Sequence, residues 1–145
     1  MTRIGLAAAI VSLLAAPLTA QESITAVIGQ PVLALAQRPE MTTVLRFNSG
    51  GHRTAVAARV RDPGPPVALA DDRYVYGFGC RPQGGCREGG VFLAFDVHDE
   101  RVFMLLTEAG SVRLSVPPDP RSWPEGLRSG VAEFIPALAE AMGGR

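Results

Sequence analysis

The sequence has no lysine, only two cysteines and two histidines, and its acidic and basic residues cancel to a net charge of +0. A neutral chain has no electrostatic preference for nucleic acid or for anionic membranes, so neither is expected as a partner. The all-arginine basic set reads first as codon bias of a GC-rich genome; the functional reading, bidentate recognition of carboxylate or phosphate, is open at single sites only. Cys80, Cys86, His52 and His98 could in principle supply four metal ligands, but their spacing fits no compact zinc pattern. No serine stands in a nucleophile elbow, and no glycine-rich phosphate cradle follows a strand. The carboxylates at Asp71-Asp72 and at Asp96, Asp99 and Glu100 fall where turns favour Asp. His52 and His98 also fall in expected turns and read as solvated. Nothing nominates a nucleophile or a base, so no catalytic residue, metal or cofactor is expected, and an enzyme is the least favoured class.

Long apolar runs are also missing, except one at the start. Residues 1–20 read as a signal peptide. Arg3 forms the basic region, Ile4 to Ala16 the apolar one, and Pro17-Leu18-Thr19-Ala20 a break with a small residue at the cut. The run is short for a membrane span, and no cysteine marks the cut for a lipid anchor. An uncleaved anchor is the alternative. Residues 21–145 are expected to form a single exported domain, off the membrane once the signal is removed.

Along that domain, Pro39 opens a short helix with Met41, Val44 and Leu45 on one face, ended by Asn48-Ser49-Gly50-Gly51. Ala55 to Val60 reads as a strand, followed by the turn Asp62-Pro63-Gly64-Pro65-Pro66. Val67 to Ala70 is a short strand. Arg73 to Phe78 alternates, with Tyr74, Tyr76 and Phe78 opposite Val75. Val91, Leu93 and Phe95 oppose Phe92 in the next strand. Arg101 to Thr107 is apolar on both sides, the mark of a strand covered on both faces. Ser111 to Val116 alternates with Val112, Leu114 and Val116 on one side. Ser122 and Glu125 fit a capping box, and Val131, Phe134, Ile135, Leu138 and Met142 follow helical spacing, with Pro136 as a defect. The fold class is therefore α+β: a central antiparallel sheet of about five strands flanked by helices.

The one pair of cysteines lies in Cys80-Arg81-Pro82-Gln83-Gly84-Gly85-Cys86. Exported thiols this close are expected to form a disulfide. The small ring contributes about 2–3 kcal/mol in the chain-entropy model. A redox role is disfavoured because the motif is not C-x-x-C at a helix start. The residues alone leave two readings open, a simple turn staple and a rigid loop that presents its contents. Pro82 fixes one backbone angle, Gly84-Gly85 allow a sharp tip, and Arg81 and Gln83 offer hydrogen-bonding groups. A stiff loop loses little entropy on binding, as inhibitor loops require.

At these residues the chain resembles the inhibitor of vertebrate lysozyme (Ivy) family, small exported bacterial proteins. Their hallmark is a disulfide-closed loop, Cys-Lys-Pro-His-Asp-Cys or close to it. Cys80, Arg81, Pro82 and Cys86 match directly, with Gly51-His52, Tyr74-Val75-Tyr76 and Trp123 in similar surroundings. The resemblance spans roughly Val44 to Phe134. It implies a central antiparallel sheet with helices and a loop that plugs the lysozyme active-site cleft, and the signal peptide makes the expected location periplasmic. The inhibitory residues would be Cys80, Arg81, Pro82, Gln83, Gly84, Gly85 and Cys86, and the partner lysozyme. Some members are dimers, so a homodimer is left open. Two departures stand in the loop itself: Gln83 replaces the family's His, and Gly84-Gly85 make the ring one residue longer. A histidinium can make a charge-assisted bond to a catalytic carboxylate; a glutamine cannot. The alternatives are control of an endogenous lytic transglycosylase and a non-inhibitory structural role in the envelope.

Overall fold

A computed structural model describes residues 22–81 and 85–143, without the side chains of Arg81, Arg87 and Glu88. Strands β1 (Ala68–Ala70), β2 (Tyr74–Arg81), β3 (Gly85–Asp96), β4 (Arg101–Glu108) and β5 (Ser111–Val116) pair antiparallel in chain order. Helices α1 (Val32–Ala36), α2 (Pro39–Phe47) and α3 (Arg53–Arg59) precede them, and α4 (Glu125–Phe134) follows. The α+β expectation is met. Among the described residues no helix is long and apolar enough to cross a membrane.

Alternation along the strands sorts the core into two halves. Val75, Val91, Leu93, Phe95, Met104 and Leu106 face α1–α3, where Val32, Leu35, Met41 and Val56 meet them. Tyr74, Phe78, Phe92, Phe103 and Leu105 face α4 and the segment after it, meeting Trp123, Leu127, Val131, Ile135, Leu138 and Met142. The first half is mostly aliphatic; the second is built from rings. Phe78 lies between Phe92 at 4.9 Å and Phe134 at 4.5 Å, and Trp123 stacks against Phe92 at 6.0 Å and meets Phe103 edge-on at 5.3 Å. The Trp123 indole N–H donates to the Pro117 carbonyl at 3.2 Å, which satisfies its polar atom. β4 is buried on both faces, as its unbroken apolar run requires.

Three expectations are corrected. Residues 55–60 are not a strand: Arg53–Arg59 is α3. Alanine is the best helix former, and Val56 and Val60 lie four apart, so both are buried on one helical face. In β5, Val112 does not share a face with Leu114 and Val116. Leu114 pairs with Leu106 and Val112 with Thr107, so Arg113 is an extra residue. That bulge shifts the alternation by one, placing Val112 on the aromatic side and Leu114 and Val116 on the aliphatic side. Ser122 caps no helix. It ends a 3₁₀ turn, Pro120–Ser122, whose N-cap is Asp119. Pro124 holds Trp123 extended (ψ 155°), so α4 cannot begin before it. Arg128 instead ties this region together, donating to the Trp123 carbonyl at 2.9 Å and the Met142 carbonyl at 3.0 Å. Pro136 ends the α-helix and opens a 3₁₀ turn, and Leu138 and Met142 remain buried beyond it.

The open end of the β2–β3 hairpin is closed by charge. Arg73 donates from Nε to Asp96 Oδ1 at 2.7 Å and from Nη2 to Asp96 Oδ2 at 2.6 Å, and its Nη2 also reaches Asp99 at 2.6 Å. Asp96 is buried, and its Oδ1 also accepts from the His98 and Asp99 backbone N–H groups. The Arg73 hydrogen bond holds the Asp96 carboxyl down at about 2, with the two backbone donors assisting and burial opposing. A folded-state value below the unfolded value of 3.8 stabilises the fold above that pH, and the contribution is lost as pH falls towards about 2. Urea unfolding midpoints should therefore drop between about pH 4 and about pH 2, and more shallowly in Asp96→Asn. An equally steep drop in both proteins would assign the acid sensitivity elsewhere.

Candidate functional site at the closed end of the β2–β3 hairpin

The strand pairing carries the cysteines to the far end of the same hairpin. β2 and β3 pair from Tyr74↔Asp96 to Cys80↔Gly90, then shift register so that Arg81 pairs with Gly85. The disulfide joins Cys80 to Cys86 across this end, with Cα atoms 4.7 Å apart. Cys80 is buried against the aromatic core and Cys86 is half-buried beside it, while Gly85 is exposed. The bridge is thus rooted in the core on one side and opens to solvent on the other.

Four contacts fix the base of the loop. The Cys80 N–H donates to the Pro63 carbonyl at 3.1 Å, so the Pro- and Gly-rich turn after α3 braces the end of β2. The Thr107 hydroxyl, buried in β4, accepts from the Gly90 N–H at 3.1 Å. Gly79 packs so closely under α3 that a Cβ there would lie 2.1 Å from the Arg59 carbonyl oxygen. A Cβ on Gly90 would lie 2.2 Å from the Gly79 carbonyl oxygen. The glycines flanking the cysteines therefore let helix, strand and loop base approach one another.

Of the expected site residues, the structure brings Cys80, Cys86 and Gly85 together and places Arg81 as the last residue of β2. Pro82, Gln83 and Gly84 lie outside the described residues. His52 is half-buried at the end of the 3₁₀ turn Gly50–His52, and His98 is exposed in the β3–β4 turn. Among the described residues no group of three His, Cys, Asp or Glu side chains could hold a metal ion. Thr107 and Pro63 were not legible as supports of the loop. Thr107 does carry a weak signal, as a polar residue closing an otherwise apolar run.

A family model for the inhibitor of vertebrate lysozyme (Ivy) matches residues 40–140, from the start of α2 to beyond α4. The chain belongs to the Ivy family. No curated protein and no solved structure matches it. The match covers the whole sheet, both cysteines and α4, so the hairpin end lies inside the Ivy domain.

Gly90→Ala should destabilise the fold by about 1–3 kcal/mol through overpacking. Gly51→Ala, whose added Cβ meets nothing within 4 Å, should change it by under about 0.5 kcal/mol. Urea midpoints of the two variants test this; equal midpoints would mean the loop base yields without cost.

Proposed function

We propose that this protein is an exported, non-enzymatic inhibitor of lysozyme whose Cys80–Cys86 loop plugs the active-site cleft. The observation that carries the reading is the disulfide-closed hairpin end of a chain belonging to the Ivy family. A loop braced at its base and covalently closed has little entropy left to lose on entering a cleft. Arg81 supplies a charged donor and Gln83 a neutral one, both directed at the carboxylates that cleave the sugar chain. Export follows from residues 1–20 acting as a signal peptide, and the periplasm is where the inhibitor acts.

Gln83 favours a second reading of the target. Without the family's His, one charge-assisted bond is forgone, costing about 1.5–3 kcal/mol, or roughly ten- to a hundredfold in affinity. An endogenous lytic transglycosylase presents a related cleft with a catalytic Glu and would be served by a loop retuned in this way.

The oxidised protein should inhibit lysozyme, and reduction of Cys80–Cys86 should remove the inhibition. Arg81→Ala together with Gln83→Ala should weaken it by about tenfold or more with the melting temperature unchanged. An unchanged inhibition constant would remove the loop from the mechanism. Inhibition of a lytic transglycosylase but not of lysozyme would select the second target.

A further inference from the structure

A second surface lies on the other side of the molecule's helical layer. α1, α2 and α3 enclose an open groove of about 460 Å³. That volume is within the about 300–1,000 Å³ typical of small-molecule sites. Its apolar lining includes Leu33, Leu45, Val56 and Val60, two of them half-buried and so still partly open to solvent. Arg46, Arg53 and Arg61 line the same groove, and among the described residues no acidic side chain does.

These three arginines are unlike the others of the helical layer. Arg38 is paired with Glu40, and Arg59 with Asp62 at 2.6 Å, so the nearby carboxylates are already engaged. Arg46 and Arg53 have no hydrogen-bond or ion-pair partner among the described residues, and Arg61 reaches only the Ala57 carbonyl at 3.4 Å. Arg53 is also the first residue of α3, the positive end of the helix, where a cation opposes the dipole rather than complementing it. None of the three guanidinium groups around this apolar depression is engaged by a carboxylate among the described residues, so ion pairing within the fold does not account for them. An occupant with a negative head and an apolar body complements both features. Guanidinium forks match carboxylate and phosphate oxygens, while the depression removes apolar surface from water.

We propose that the α1–α2–α3 groove binds a single-chain anionic amphiphile, its chain along the apolar lining and its head held by Arg46, Arg53 and Arg61. The site is independent of the hairpin loop and of the inhibitory reading.

Dodecanoate and dodecyl phosphate, each kept below its micelle concentration, are the probes, with dodecyltrimethylammonium as the cation of equal chain length. Amide chemical shifts in the full protein report where each binds. Both anions should shift groove amides of residues 33, 45, 57 and 60, and the cation should bind at least about tenfold more weakly. Replacing Arg46→Gln, Arg53→Gln and Arg61→Gln together should weaken anion binding by about the same factor, with lysozyme inhibition unchanged. Ala57→Trp, which places a bulky side chain on the groove lining and keeps the charges, should weaken anion binding as well. Equal binding of cation and anions, unchanged binding by the triple variant, or shifts outside the groove would overturn the assignment. Shifts from an acidic amphipathic peptide but not from either anion would overturn it as well.

Discussion

The pairing of β2 with β3 is the constraint on which the rest of the structure depends. It is fixed at both ends by chemistry of different kinds. Arg73 and Asp96 clamp the open end with a bidentate ion pair, and the Cys80–Cys86 disulfide closes the other. Between them Phe78 pairs with Phe92 and Val75 with Phe95, so the same register that aligns the hairpin also assigns each side chain to its half of the core. A slip of one residue would exchange the aliphatic and aromatic faces. The position of the Cys80–Cys86 bridge is consequently set by the whole sheet and not by the two cysteines alone.

The two core halves support that bridge differently. On the aromatic side, Phe78, Phe92 and Trp123 form a continuous ring network against α4, and Cys80 is buried into its edge. On the aliphatic side, β2 carries Gly77 and Gly79 where side chains would otherwise stand, and the helical layer comes down onto the strand. The end of β2 is thus held between a ring cluster on one face and α3 on the other. A binding loop set on such a support can keep its geometry when it meets a partner, which lowers the entropic cost of association. The helical layer that braces it also shapes the arginine-lined groove on the molecule's outer surface.

The sheet was legible in the sequence because its strands obey period two: Tyr74, Tyr76 and Phe78 against Val75, and Val91, Leu93 and Phe95 against Phe92. The both-faces apolar run of β4 marked a covered strand for the same reason. Failures occurred where a local rule was overruled. Ala55 to Val60 reads equally as short strand or helix by apolar content, and only the four-residue spacing of Val56 and Val60 against the sheet decides it. The β5 bulge at Arg113 leaves no mark in composition. Pro124 overrides the Ser122–Glu125 capping pattern because it fixes the preceding backbone. At the site, the cysteines were legible from their spacing, whereas Arg73–Asp96 and the Thr107–Gly90 contact join residues distant in sequence. The three groove arginines were likewise hidden within an all-arginine basic set, and only the absence of a carboxylate partner among the described residues distinguishes them.

The most direct test of the loop's role is amide hydrogen exchange of the oxidised protein with and without lysozyme. The account predicts new protection at Arg81 and at residues 85–90, with α1–α3 and β5 unchanged. Protection on the helical layer or along β5, with the closed end of the β2–β3 hairpin exchanging as in the free protein, would contradict it.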